Sequence, residues 1–152
     1  MRLTLIAVGR LRAGPERALV DDYLERFAKT GRGLGLPPLT LVEVEGRVPG
    51  GEAEAIARAL PAGAALTVLD ERGASLTSPE FARHLGGWRD AARDVAFVIG
   101  GADGTDPALR ARADLVLSFG AMVWPHMLAR VMLAEQFYRA AAILAGTPYH
   151  RA

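Results

Sequence analysis

The sequence predicts an α/β fold in which a mostly parallel sheet of five to six strands carries helices on both faces. Short runs of leucine and β-branched residues alternate along the chain with longer segments whose apolar residues recur at helical spacing. Five strand-then-helix units follow one another in this way. Successive units of this kind form a parallel sheet, because each helix returns the chain to the edge at which the preceding strand began.

Each predicted strand is a short apolar run that is bounded by glycine, proline or charged residues. Strands of almost continuous apolar sequence are typical of parallel sheets, since helices cover both of their faces. The predicted strands cover residues 3–8, 39–44, 66–69, 94–99 and 115–119.

The predicted helices are delimited by capping residues. Ser78 is expected to be an N-cap, because Pro79 follows it at the first helical position. The pair Asp106-Pro107 opens a short helix in the same way, and Gly146 closes the last and most apolar helix. The predicted helices cover residues 15–30, 52–60, 78–88, 107–113 and 125–145.

The composition limits the kind of site that this fold can carry. We expect one domain, residues 1–152, and the 18 basic and 17 acidic side chains give it a formal charge of +1. This balance argues against capture of nucleic acid by bulk charge but is compatible with a local arginine patch. The absence of cysteine excludes disulfides, thiolate metal sites and thiol nucleophiles. The three histidines, His84, His126 and His150, lie far apart, so no metal site is expected.

The sequence also bears on localisation. No apolar run reaches the ~18 residues that a membrane-spanning helix needs. Residues 1–9 are typical of a first strand rather than of a signal peptide, because charged residues and a proline follow them without a small-residue cleavage site. The lack of cysteine is compatible with a reducing compartment. We therefore expect a cytoplasmic protein.

Three loops are candidates for the functional site, because ligands of parallel sheets bind beyond the carboxyl ends of the strands. These loops are residues 69–73, 100–104 and 118–126. Glycine at positions 100, 101 and 104 allows backbone amides to approach a ligand without an intervening Cβ. The third loop is uncharged up to its proline, which is compatible either with simple packing or with a pocket for an apolar ligand such as an adenine ring.

Two other α/β functions are excluded by the residues after the first strand. Asp70 lies where a phosphoacceptor receiver domain has its aspartate, but Gly9 and Arg10 replace the acidic pair that such a domain needs. The fifth strand is also not followed by the required lysine. A flavin-binding domain would have a hydroxyl-rich and glycine-rich phosphate loop in place of residues 9–12.

The end of the chain has an unusual composition. Tyr149, His150 and Arg151 place aromatic, imidazole and guanidinium groups in a segment that is poorly ordered in most proteins. From the residues alone, two interpretations stay open: a solvated end, or a tail that folds over a site. Glu135 and Arg139 lie four residues apart in the last predicted helix, a spacing that is also typical of an ordinary intrahelical ion pair.

Several motifs, in order along the whole chain, resemble the RlmH family of bacterial ribosomal RNA methyltransferases, which belongs to the SPOUT class. The specific part of the resemblance is the C-terminal third of the chain. The motifs are Leu-x-x-x-Ala-Val-Gly at the start, Ile-Gly-Gly-Ala-Asp-Gly at 99–104, Leu-Ser-Phe at 117–119, Met-Val-Trp-Pro-His at 122–126, Arg-Val-Met-Leu-Ala-Glu-Gln-Phe-Tyr-Arg-Ala at 130–140 and Pro-Tyr-His-Arg at 148–151.

The resemblance implies a C-terminal trefoil knot, a homodimer and S-adenosylmethionine as the methyl donor, with no metal. It also implies that the substrate is N3 of a pseudouridine in 23S rRNA of the assembled ribosome. A non-catalytic RNA-binding or ribosome-binding dimer with the same fold is the alternative. The last helix agrees with a dimer, because a helix that is apolar almost all round must be buried on more than one side. Its apolar residues are Val131, Met132, Leu133, Phe137, Tyr138, Ile143 and Leu144.

The resemblance also implies two sets of site residues. In the catalytic set, Arg139 orients the base or a phosphate, His150 takes the proton, Tyr149 stacks and Arg151 contacts RNA, while Glu135 pairs with Arg139. The cofactor-binding set is Leu69, Gly100, Gly101, Phe119, Gly120, Ala121, Met122, Val123 and Trp124.

Overall fold

The computed structural model describes residues 1–47 and 51–151 and confirms the α/β class. Its five strands all run parallel, in the order β2-β1-β4-β3-β5. The strands are β1 (Leu3–Val8), β2 (Leu39–Val44), β3 (Ala65–Ser75), β4 (Val95–Ile99) and β5 (Leu115–Ser118). All the predicted strands are present, and the sheet of the described residues has five strands rather than six.

Helices cover both faces of this sheet, as expected. The helices are α1 (Pro15–Arg32), α2 (Gly51–Ala59), α3 (Ser78–Asp90), α4 (Pro107–Arg112) and α5 (His126–Ala145). Helices α1, α3 and α5 pack on one face of the sheet, and α2 and α4 pack on the other. Since α5 packs against both α1 and α3, it is the central helix of the three-helix face. In the described part of the chain, no helix has both the length and the apolar character required to span a bilayer.

Four phenylalanines from three helices and the sheet meet at the centre of the three-helix face. The ring of Phe137 in α5 contacts Phe97 of β4 at 4.8 Å between centroids, Phe27 of α1 at 5.3 Å and Phe81 of α3 at 5.6 Å, each edge to face. This geometry is the preferred one for aromatic pairs and adds stabilisation beyond the buried area. Because every one of these rings is buried, α5 is held in a fixed position over the sheet.

The third strand is longer than the sequence predicts, and its register with β5 shifts. Its regular part ends at Leu69, which pairs with Leu117 of β5, and Ala74 pairs with the same Leu117. Residues 70–73 have no partner in this ladder and form a bulge, which we call the loop after β3 because it follows the regular part of that strand. Gly73 permits the close approach of this bulge to β5, because a Cβ on it would lie 2.5 Å from the carbonyl oxygen of Val116. The apolar pattern stops at Leu69, so it does not predict the further pairing with β5.

The N-cap of α3 also differs from the prediction. Thr77, not Ser78, is the cap: its Oγ1 accepts a hydrogen bond from the backbone N–H of Glu80, and the Glu80 carboxylate accepts one from the N–H of Thr77. This reciprocal capping box satisfies two amides, which a cap at Ser78 with Pro79 behind it would not do. The hydroxyl of Ser78 is therefore available to donate to Gln136 in α5, at 2.8 Å.

Replacing Gly73 with alanine should destabilise the fold by about 1–3 kcal/mol, because the new methyl group would overlap the backbone of Val116. Gly87 is the matched control, since it lies in α3 with open space at its Cβ position. Alanine there should stabilise the protein by about 0.5–1 kcal/mol. Urea denaturation measures both changes. A Gly73→Ala midpoint equal to that of the parent protein would contradict the close approach of Gly73 to β5.

Candidate functional site

A cavity of about 320 Å³ lies at the carboxyl ends of β3, β4 and β5. Its walls are the loops that follow these three strands, together with the first turn of α5. Of the nine residues implied for the cofactor, all but the exposed Ala121 belong to its lining. The structure therefore brings together Leu69, Gly100, Gly101, Phe119, Gly120, Met122, Val123 and Trp124.

The glycines of the second loop make room for neighbouring parts of the chain, while their expected role in admitting a ligand stays a prediction. A Cβ on Gly100 would lie 2.5 Å from the carbonyl oxygen of Gly104, so this glycine permits a tight turn. The turn is closed by a 3.0 Å hydrogen bond from the N–H of Gly104 to the oxygen of Gly101. A Cβ on Gly101 would meet the carboxylate of Glu52 at the start of α2.

Asp70 joins two walls of the cavity, a role that the sequence did not reveal. Its carboxylate is only 4% exposed. It accepts hydrogen bonds from the backbone N–H of Arg72 at 2.9 Å, from the hydroxyl of Thr105 at 3.2 Å and from Nη1 of Arg110 at 3.4 Å. The loop after β3 is thus tied to the segment that follows the glycine turn. A single aspartate at a strand end gives no sequence signal for partners that lie 35 and 40 residues away.

His126 is a second residue of the cavity that was not among the implied site residues. It is the first residue of α5 and lines the cavity. Its Nδ1 atom is buried and has no hydrogen-bond partner within the described residues. Buried polar atoms are normally paired, so this atom is one of the few exceptions among the described residues. One sequence signal points to this residue, namely the Pro125-His126 pair at the start of the last helix.

The chain end folds back onto α5, so the interpretation as a solvated end is wrong for Tyr149 and His150. The hydroxyl of Tyr149 donates to Oε1 of Glu135 at 3.0 Å, and Arg139 forms an ion pair with the same oxygen at 2.7 Å. Nη1 of Arg139 lies 3.2 Å from Nδ1 of His150. We call these four residues the tail cluster. Arg151 is exposed.

Stacking reinforces the tail cluster. The ring of Tyr149 packs against that of Tyr138 with 4.5 Å between centroids, and the guanidinium of Arg139 lies 4.8 Å from the Tyr149 ring centroid. Burial and the hydrogen bond to Glu135 raise the pKa of Tyr149 to about 12, and the hydrogen bond that Arg139 donates to Glu135 raises the pKa of Arg139. At neutral pH, Tyr149 is therefore a hydrogen-bond donor rather than a base.

The tail cluster and the cavity lie on different parts of α5. Ala129 lines the cavity, whereas Glu135 contacts the tail six residues further along the helix. Six residues of α-helix correspond to about 9 Å along the axis and to a rotation of roughly 120°. The structure thus assembles eight of the nine residues implied for the cofactor and four of the five implied for catalysis, but it does not bring these two groups together within one chain.

Exposed apolar side chains lie beside the cavity, in the loop after β5 and the first turn of α5. We call this surface the apolar patch; it consists of Met122, Val123, Trp124, Met127 and Leu128, and the first two are 76% and 79% exposed. The sequence-based argument for a dimer used residues further along α5. Leu133 and Phe137 of that set are buried against α1, α3 and the sheet of their own chain. The apolar character of the middle of α5 is therefore explained without a second subunit.

Comparisons with known proteins agree on one family. Residues 1–150 match the family described as "Predicted SPOUT methyltransferase". The ribosomal RNA large subunit methyltransferase H of Paracoccus denitrificans is 69% identical over 154 residues, which is 99% of each chain. The protein of the same name from Ruegeria pomeroyi is 64% identical over 155 residues, again 99% of each chain.

Solved structures show the same fold at much lower identity. A protein from Bordetella pertussis Tohama I described as a probable methyltransferase has a TM-score of 0.55 at 18% identity, over 92% of this chain and 94% of that one. A probable methylase family protein from Haemophilus influenzae Rd KW20 has a TM-score of 0.51 at 13% identity, over 99% of this chain and 70% of that one.

The raised pKa of Tyr149 predicts a tyrosine that ionises late in an alkaline titration. The group is neutral when folded up to about pH 12, against an ordinary value of 10.0, so its contribution to stability is present below about pH 10 and is lost as the pH rises towards 12. Tyrosinate absorbance should show one late-ionising group that Tyr149→Phe lacks. Glu135→Gln should bring it closer to the ordinary value, because the amide does not repel the phenolate. If the late-ionising group is still present in the Tyr149→Phe variant, and only a tyrosine of ordinary pKa has disappeared, the tail cluster is contradicted.

Proposed function

The chain belongs to the SPOUT methyltransferase family, and from this premise we propose that it transfers the methyl group of S-adenosylmethionine to N3 of a pseudouridine in 23S rRNA of the assembled ribosome. The observation that carries the proposal is the 69% identity, over 99% of each chain, with ribosomal RNA large subunit methyltransferase H of Paracoccus denitrificans. The trefoil knot of the SPOUT class is part of this proposal, and the close contact of residues 70–75 with β5 is compatible with it.

The cavity is suited to an adenosyl group. Its volume of about 320 Å³ lies within the usual range for small-molecule sites, roughly 300–1,000 Å³. Leu69, Met122 and Trp124 offer apolar surface for an adenine ring, and the backbone of residues 100–104 offers amides and carbonyls for its polar rim. The side chains of Glu71 and Asp103 add carboxylates to the lining, which are suited to hydroxyl or ammonium groups.

S-adenosylmethionine supplies an electrophilic methyl group, and a nucleobase nitrogen can accept it directly. The remaining tasks of the protein are to align the base with the donor and to remove one imide proton. Alignment is assisted by the fixed loops of the cavity, since Asp70 ties two of them together. The residues that we propose for contact with the base and for proton removal are those of the tail cluster, with Arg151 in contact with RNA.

His150 is the proposed proton acceptor, and its contact with Arg139 defines its starting state. A guanidinium donates hydrogen bonds and accepts none, so Nδ1 of His150 must be the acceptor and the ring proton lies on Nε2. Arg139 thus occupies the basic nitrogen of the imidazole while the tail is docked on α5. To take the imide proton, His150 must exchange Arg139 for the substrate, which also frees the guanidinium to bind the base or a phosphate.

A homodimer is part of the proposal for a geometric reason. The tail cluster of one chain is about 9 Å along α5 and roughly 120° around it from the residues that line the cavity. The apolar patch borders that cavity and is exposed in the single chain. A second copy that covers the apolar patch would bring additional side chains to the mouth of the cavity. Contiguous exposed apolar surface of this kind is typical of protein interfaces.

The test is methyl transfer from labelled S-adenosylmethionine to ribosomes that lack the modification, followed by identification of the labelled nucleoside. The proposal expects the label in N3-methylpseudouridine of 23S rRNA. Absence of both cofactor binding and transfer, with binding to ribosomes retained, would instead identify a non-catalytic RNA-binding protein.

In the same assay, a chain that ends at Pro148 should lose methyl transfer while retaining most of its affinity for S-adenosylmethionine, because the cavity contains none of residues 149–151. His150→Ala should lower turnover by roughly 100-fold or more, the usual contribution of a general base. His84→Ala is the matched control, since this imidazole stacks on Trp88 outside the cavity. A shortened chain that is as fast as the parent would remove the tail from the mechanism.

A further inference from the structure

Of the eight arginines in the described ranges that have no carboxylate within 4.0 Å, three lie together at one edge of the sheet. Ten of the eighteen basic residues, all of them in the described ranges, lie within 4.0 Å of an acidic group. Arg10, Arg12 and Arg47 are not among these ten, and all three line one large groove at the carboxyl ends of β1 and β2. All three arginines are exposed.

The loop that carries Arg10 and Arg12 is anchored to the rest of the protein at Leu11, the residue between these two arginines. Leu11 is only 5% exposed, and its N–H donates to Oε2 of Glu43 at 2.6 Å. The same oxygen accepts a 2.7 Å hydrogen bond from Arg130 of α5, which is 1% exposed and also donates to the carbonyl of Gly9. The loop therefore presents two guanidinium groups from a backbone that is held on both sides, so little backbone conformational entropy is left to lose on binding.

The acidic side chains of the groove do not cancel these arginines. Glu43 is occupied by Arg130 and Leu11: burial raises the pKa of Glu43, but these hydrogen bonds lower it by more, so the carboxylate stays ionised and paired. Glu45 and Glu52 are the other carboxylates of the lining. The three arginines of the groove thus face only two carboxylates that have no ion-pair partner among the described residues, those of Glu45 and Glu52.

The groove lies next to the cavity that we propose for the methyl donor. Arg130 follows Ala129, and Ala129 belongs to the lining of the cavity. On the other side, the carboxylate of Glu52 lies in the groove and against the Cα of Gly101, which also lines the cavity. A polymer whose target base enters the cavity would therefore have neighbouring units close to this groove.

We propose that Arg10 and Arg12, with Arg47, bind backbone phosphates of the RNA strand that leads to the methylated base. The inference rests on the proposed function, because that function makes RNA the substrate. The planar guanidinium group matches the geometry of a phosphate and donates two parallel hydrogen bonds to it. Since the net charge of the protein is only +1, a local cluster of this kind has to supply the phosphate contacts.

The test measures binding to protein-free 23S rRNA over a range of salt concentrations, without the methyl donor. Each lost phosphate contact makes the slope of log K against log [salt] shallower by roughly 0.7–0.9. The double variant Arg10→Gln/Arg12→Gln should therefore lose roughly 1.4–1.8 from that slope, and more than tenfold in affinity at low salt.

The matched control is Arg17→Gln/Lys29→Gln, which removes the same charge from the exposed face of α1, where each cation is paired with a carboxylate four residues away. Its slope should stay close to that of the parent protein. An unchanged slope in the Arg10/Arg12 variant, an equal loss in the control, or a parent protein that does not bind the RNA would each overturn the proposal. A parent protein that binds RNA in the expected way but transfers no methyl group to ribosomes that lack the modification would refute the proposed function and leave only the phosphate contacts of these arginines standing.

Discussion

The pairing of Leu117 with both Leu69 and Ala74 holds the loop of residues 70–73 against β5, and the cavity depends on it. Because this loop is held at both of its ends, the loop after β3 and the loop after β5 lie against each other. The hydroxyl of Ser118 lies within 3.2 Å of the carbonyl oxygen of Glu71 and within 3.0 Å of that of Gly120, one from each loop. Asp70 then extends the connection to Thr105. Three walls of the cavity are thus fixed by contacts within the chain before any ligand binds, which lowers the ordering cost of binding.

A single helix connects the functional regions. The first turn of α5 borders the cavity, and Arg130 in its second turn anchors the loop after β1 that carries Arg10 and Arg12, here called the arginine loop. Phe137 in the middle of the helix sits in the aromatic core, and Glu135 and Arg139 hold the tail. A displacement of α5 would therefore disturb the cavity, the arginine loop and the tail at the same time. This arrangement explains why the most informative sequence motifs lie in the last third of the chain.

Sequence patterns were sufficient for the elements whose signals are local. The strands β1 and β2 have the predicted bounds, because apolar runs between punctuating residues define them. The second half of β3 was missed, since backbone pairing with β5 requires no apolar side chains. The contact between Gly101 and Glu52 also has no local signal, because the two residues are distant in sequence. The resemblance located the lining of the cavity, whereas the partners of Asp70 and the anchoring of Leu11 are long-range contacts that have no local pattern.

The central claim is that the three loops after β3, β4 and β5 bind S-adenosylmethionine. Amide hydrogen exchange of the full chain, with and without saturating S-adenosylmethionine, tests it most directly, because each loop reports separately. The account predicts slower exchange in residues 69–73, 100–104 and 117–126, and unchanged exchange in α2, which lies outside the cavity. Exchange that is unaffected in all three loops, or slowed only in α2, would contradict the assignment of the site.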